Sequence, residues 1–161
     1  GGSLAIGVIG GNTGNAVESL KGLGAGKVVS VSGDAYSVSR YKTDASAAQA
    51  IAGSLDASII LGAATQRWSR VAAGLAQRLG GVFDSQIAAA GDEGGSVSID
   101  RWFYRQRMKG TLSRTQRPWV VTVAGGAAEP AQPSGSESED VELSPDAVES
   151  KTAVKGVLAA D

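Results

Sequence analysis

The stretch Ser58–Ala90, SIILGAATQRWSRVAAGLAQRLGGVFDSQIAAA, changes its hydrophobic period twice. Ile59, Ile60 and Leu61 are consecutive and apolar, the pattern of a strand covered on both faces. Gly62 to Thr65 are small, and Thr65 is placed to cap a helix. Val71, Leu75 and Leu79 then recur every four residues with Ala72 and Ala76 beside them, which makes one helical face apolar. Gly80-Gly81 stops the helix, and Val82, Phe83 and Ile87 start a second buried strand. A β-α-β unit of this kind needs further parallel strands beside it.

The chain before it supplies them. Leu4–Ile9 is almost wholly apolar and reads as a central strand. Gly10, Gly11 and Gly14 make a turn in which Asn12 or Thr13 caps a helix carrying Val17, Leu20 and Leu23. Lys27–Val31 is the next strand, Ser32-Gly33-Asp34 a turn, and Ala35–Lys42 the place for a short third strand. Asp44 is expected to cap a helix in which Ala48, Ile51, Ala52 and Leu55 share a face. The alternation predicts an α/β three-layer sandwich, with a mostly parallel sheet and helices on both sides.

After Ala90 the pattern becomes one of consecutive strands. Gly91–Gly95 reads as a loop, and Val97–Arg107 alternates, with Val97, Ile99, Arg101, Phe103, Arg105 and Arg107 on one face and Trp102, Tyr104 and Met108 on the other. Two more strands follow, in Thr111–Arg117 and Pro118–Ala124. This predicts an antiparallel extension of the sheet and one α/β domain over residues 1–124. From Gly125 the sequence turns rich in Ser, Pro, Gly and Glu. Residues 125–161 therefore read as an acidic linker or tail, with a short edge strand at Val141–Leu143 and weak helix at best from 145 onward.

Composition narrows the chemistry. The chain has 161 residues, 42% of them hydrophobic, and a formal net charge of -1. It contains no cysteine and no histidine, which excludes a thiol nucleophile, a Ser-His-Asp triad and the common zinc sites. No apolar run reaches membrane-spanning length and the start has no signal-like segment, so the cytoplasm is the default compartment. No pair of carboxylates stands out as an acid/base couple, so the expectation is a non-catalyst. The turns at Gly10, Gly11 and Thr13, at Gly33 and Asp34, and at Gly62 and Thr65 all end predicted strands, where ligands settle in open α/β sheets. Together they form a candidate crevice for AMP or another adenine nucleotide. Neither a P-loop nor a GxGxxG fingerprint is present, and each turn alone is an ordinary connection.

Arg101, Arg105, Arg107, Lys109, Arg114 and Arg117 form the main charge feature, interleaved with Trp102, Phe103, Tyr104 and Trp119. Its plainest reading is a solvated sheet face paired with the acids Glu137, Glu139, Asp140 and Glu142. A protein or anion interface ranks second, and nucleic acid third, because the pI is about 5.5. Trp68, among Gln66, Arg67 and Arg70, is either packed locally or part of a partner surface.

The order of these segments resembles the electron transfer flavoprotein alpha subunit. The run LGAATQRWSRVAAGLAQRLGGVFDSQIAAA is similar to that family's strand, small-residue turn, helix ending Arg-Leu, and strand with Asp-Ser. Arg101-Trp-Phe-Tyr104 is similar to its Arg-Pro-x-Tyr stretch, and Trp119–Gly126 to its next strand. Where the family has paired glycines after the tyrosine, this chain has Arg105 and Gln106. The resemblance spans roughly Leu4–Leu143 and implies the fold of the family's amino-terminal domain. It also implies a structural and docking role toward a beta-like subunit or another flavin-bearing partner, a homodimer being left open. FAD is implied for the family through a separate domain, so none is expected on this chain alone. The partner surface is expected to include Arg67, Trp68, Arg101, Tyr104 and Arg105, the cationic and aromatic residues where the chain departs from the family pattern.

Overall fold

A computed structural model describes residues 2–94, 96–156 and 158. Among them, eight strands and three helices form a mixed α/β structure with two sheets. The first sheet joins β1 (Ala5–Gly10), β2 (Lys27–Ser32) and β8 (Glu139–Glu142), all parallel. The second runs in the order β3 (Ile59–Ala63), β7 (Trp119–Val123), β4 (Val82–Glu93), β5 (Ser96–Phe103), β6 (Met108–Ser113). Its first three strands are parallel and its last two antiparallel, so the expected antiparallel extension is observed.

The helices cover both faces. On β2, Val29 and Val31 point to α2 (Tyr41–Ser54) and pack with Ala47 and Ile51. Side chains alternate along a strand, so Ser30 and Ser32 face the other way, toward Val17 of α1 (Gly14–Leu20). Helix α3 (Gln66–Arg78) buries Val71, Ala72, Leu75 and Ala76, the stripe predicted from its period, against Ala45 and Ala48 of α2 and Val120 of β7. The opposite face of β7 holds Trp119 and Val121, which pack with Ile87 of β4 and Ile99 of β5.

Six expectations are corrected. The run Leu4–Ile9 is not a central strand, since among the described residues β1 pairs with β2 alone. Ile59–Leu61 is not covered on both faces: among the same residues β3 pairs with β7 alone, and Leu61 is 58% exposed. Ala35–Lys42 holds no strand: Asp34–Tyr36 is a single 3-10 turn, and α2 has already begun at Tyr41. Asp44 does not cap α2 from outside. It lies in the first turn, accepts the Arg40 amide at 3.3 Å, and is buried. The Gly91–Gly95 loop shrinks to a tight hairpin, because β4 continues to Glu93; Gly95 itself lies outside the described residues. The tail acids do not neutralise the arginine run. Glu139 pairs with Lys27 at 3.1 Å and Asp140 with Lys21 at 3.0 Å, because β8 adds to β2 on the far sheet.

The two sheets do not meet by strand pairing. Among the described residues β1 pairs with β2 alone and β3 with β7 alone, and a cavity of about 140 Å³ lies between them. Its walls are apolar: Ala5, Gly7, Ile9, Ile59, Leu61 and Trp68. The gap matters for function because it separates the carboxyl ends of the strands into distinct clefts.

Candidate functional site

The residues of the predicted crevice fall into two separate places. Gly11 and Thr13 line a cleft of about 500 Å³ with Ser32, and β8 closes it with Asp140 and Glu142. Ser32 donates a hydrogen bond to Glu142. Among the described residues Lys21 is the one cation there, and its hydrogen bonds to Glu18 at 2.9 Å and Asp140 at 3.0 Å hold its ammonium above the usual lysine range. An acidic lining of this kind repels a phosphate. Gly10 ends β1 beside this cleft, and the Gly33 amide donates to the Gly11 carbonyl at 3.3 Å, with Asp34 exposed at the start of the 3-10 turn. Gly62 and Thr65 instead line a cleft with Val123 and Gly125. The Thr65 hydroxyl caps α3, accepting the Trp68 amide at 3.2 Å, as its position in the sequence predicts.

Arg67 and Trp68 are drawn inward. Arg67 donates to both carboxylate oxygens of Asp44, at 2.6 and 2.9 Å, and to the Tyr36 carbonyl at 2.8 Å. This ties the start of α3 to the start of α2. The Trp68 ring packs against the core around Val71 and Leu75 and lies directly over Gly62, where an added Cβ would overlap the indole. Its Nε1 is buried without a hydrogen-bond partner among the described residues. The pair shares a cleft with Gly7, Asp44 and Thr65, not with the arginines of β5.

Those arginines surround a different feature. Asp84, on β4, is 3% exposed as a side chain and accepts from Arg114 Nε at 3.0 Å and Nη2 at 3.1 Å. The buried Trp119 indole donates to the same carboxylate at 3.0 Å, and Arg101 stands 3.7 Å away. The carboxylate raises the Arg114 pKa above its ordinary value, chiefly through the hydrogen bond. Trp119 is therefore a core residue with its polar edge satisfied, and it is not available as a stacking surface. An acid inside the apolar run Val82-Phe-Asp-Ser-Gln-Ile87 was the available signal for this buried centre, and it passes unnoticed when charges are counted only in clusters.

Next to Asp84 the register of β4 against β7 shifts between Asp84 and Ile87. The bulge places Ser85 and Gln86 at the surface, with Gln86 at φ 52° and its amide donating to Thr122 Oγ1 at 2.9 Å. Facing it is the β5–β6 turn, where Tyr104, Arg105 and Gln106 take φ values of 48°, 56° and 63°. Between bulge and turn lies a cleft of about 460 Å³, lined by Ser85, Gln86, Arg101, Trp102, Arg105 and Gln106. Of the expected partner residues, Arg101 and Arg105 line this cleft and Tyr104 stands at its turn. Beside the cleft Trp102 is 44% and Tyr104 75% exposed, while Met108, paired with Phe103, is 51% exposed on the other face of the β5–β6 ladder from Trp102.

Among the described residues no group of three acids, histidines or cysteines could hold a metal, and no helix is long and apolar enough to cross a membrane. No curated protein matches the chain. The family model for the electron transfer flavoprotein domain matches residues 1–148, nearly the whole sequence and all of the strands and helices described above. The chain belongs to the electron transfer flavoprotein domain family.

Proposed function

We propose that this domain is the docking part of a flavin-dependent electron-transfer assembly, corresponding to the amino-terminal domain of an alpha subunit. Its partner in this reading is a beta-like subunit or another flavin-bearing protein, and the FAD is held by a different domain or chain of the assembly. The domain contributes shape and charge, and no catalytic step; the cytoplasm is its working compartment. The observation that carries the reading is the rim of the β5–β6 turn. Tyr104 at the turn is 75% exposed and Trp102 on β5 is 44% exposed, and Arg105 and Arg107 beside them have no ion pair among the described residues. Aromatic and arginine side chains are the types that dominate binding energy once buried between proteins. Arg101, Tyr104 and Arg105 form the contact surface in this reading, while Arg67 and Trp68 hold the start of α3 against α2 and β3 and lie outside it.

The test uses the purified chain and a flavin-bearing beta-like subunit from the same source. Binding is expected to weaken at least tenfold in Arg105→Glu and Tyr104→Ala, with the melting temperature of the free chain unchanged. A yellow purified chain, or a large thermal shift with FAD alone, would contradict the reading. The alternative, a free-standing adenine-nucleotide module with its ligand at Gly10–Gly14, Ser32–Asp34 and Gly62–Thr65, is disfavoured by the acidic lining of the first cleft and by the division of these turns between two clefts. A thermal shift with AMP that Thr13→Ala abolishes would favour it.

A further inference from the structure

Among the described residues, four of the five non-glycine positions with positive φ cluster at the cleft between the β4 bulge and the β5–β6 turn: Gln86, Tyr104, Arg105 and Gln106. Each L-residue held there costs on the order of 1 kcal/mol, and such strain collects where a site fixes its groups in advance. β-bulges likewise gather beside binding sites, where they redirect side chains. What the strain presents here is a set of donors. Arg101 and Arg105 bring guanidinium groups, Gln86 and Gln106 bring side-chain amides, and Ser85 brings a hydroxyl that accepts from Arg101 at 3.2 Å and keeps its own proton to give. Among the described residues no acid lines the cleft.

The charge balance points the same way. Asp84, behind the cleft, is shared by Arg101 and Arg114. Arg114, outside the cleft, takes both oxygens of Asp84, and Arg105 has no ion pair among the described residues, so the guanidinium groups of Arg101 and Arg105 leave about two positive charges uncompensated at the cleft. The Gly11 cleft on the other sheet is the reverse case, lined by Glu18, Asp140 and Glu142 around Lys21. We propose that the cleft between Ser85, Gln86, Arg101 and Arg105 binds a phosphoryl group. A doubly charged tetrahedral oxyanion matches both the surplus charge and donors arriving from several sides, which a flat, singly charged carboxylate does not. The exposed Trp102 ring at the rim is placed to carry a flat ring attached to that phosphate.

The phosphoryl site shares Arg101 and Arg105 with the docking surface, but it is tested on the chain alone, so its failure is distinguishable from a failure of docking. Isothermal titration with inorganic phosphate and with pyrophosphate is expected to show one saturable site whose affinity falls with added salt. Arg105→Gln is the clean variant, because Arg105 makes no ion pair among the described residues, and it should weaken binding at least tenfold. Lys21→Gln, in the acidic cleft, should leave it unchanged. An arm with a nucleoside monophosphate separates the two sources of the phosphate. Tighter binding that Trp102→Ala returns to the level of bare phosphate supports a ring-bearing ligand, and equal affinity supports phosphate by itself. The proposal is overturned by no saturable binding of phosphate or pyrophosphate, by binding that Arg105→Gln leaves intact, or by acetate binding as well as phosphate at equal ionic strength.

Discussion

Replacing Asp84 with alanine removes the carboxylate that joins β4 to the arginines of the site. Two groups of partners are lost, and they are worth different amounts. The Trp119 indole is fully buried, so without Asp84 its Nε1–H has no partner and no water, which costs about 1–3 kcal/mol. Arg114 and Arg101 are 43% and 32% exposed as side chains, so both can turn to solvent. Their pairs are discounted accordingly, to about 0.2–1 kcal/mol each. The sum is roughly 1.5–5 kcal/mol, which lowers the melting temperature of a chain this size by about 3–20 °C. Asp84→Asn keeps an acceptor for the indole and should lose about 1–2 kcal/mol. Denaturant unfolding of Asp84→Ala, Trp119→Phe and the double variant isolates the indole bond, with an expected coupling of about 1–2 kcal/mol. Losses below about 0.5 kcal/mol in Asp84→Ala, or purely additive effects in the double variant, would refute this account of the buried centre.

Three other changes test the structure elsewhere. Gln106→Gly should stabilise the chain by about 0.5–1 kcal/mol in thermal melts, because relief of the left-handed conformation outweighs the entropy of the new glycine; a clear loss would show that Gln106 holds the turn by its side chain. Gly62→Ala should cost about 1–3 kcal/mol through overlap with the Trp68 ring. An unchanged melting temperature there would show that the ring does not rest on β3. The Asp100 carboxyl is held below the ordinary aspartate range, first by its hydrogen bond from Lys109 and then by that from Thr111. A depressed folded-state pKa adds stability above the unfolded value, and this is lost as pH falls through the folded one. The stability gap between the natural chain and Asp100→Asn should therefore be open near neutrality and close below the ordinary aspartate range; a gap constant through acid pH would remove Asp100 from the linkage.

The elements that were readable in the sequence are those whose burial follows a period. Val71, Ala72, Leu75 and Ala76 announce α3 because a helix that covers a sheet must repeat its apolar residues every turn. Trp119–Val123 announces a buried strand by continuous apolar character, whereas the equally apolar Ile59–Leu61 is a strand at a sheet edge with Leu61 58% exposed. Pairing is another matter. Nothing in the runs Ala5–Gly10 and Ile59–Ala63 says that they stand apart across a cavity, since each looks the same paired on one edge or on both. The predicted crevice divides for that reason. Asp84 and Arg114 are 30 residues apart and meet only through the sheet, so the arginine run looked free to choose the tail acids. The tail acids themselves sit opposite Lys21 and Lys27 because β8 adds to β2, a long-range pairing that no local pattern encodes. Arg105 and Gln106 were legible as departures from paired glycines, and their positive φ gives that departure its physical meaning.

Docking to a flavin-bearing partner is the central role proposed for this electron transfer flavoprotein domain. Sedimentation velocity of the chain with a flavin-bearing beta-like subunit from the same source, followed in the visible flavin band, tests it most directly. The chain alone is expected to carry no flavin signal, and adding it should move the partner's flavin boundary to a faster species. Arg105→Glu is expected to abolish the shift. A flavin boundary that does not move, or a flavin signal carried by the chain alone, would contradict the docking role.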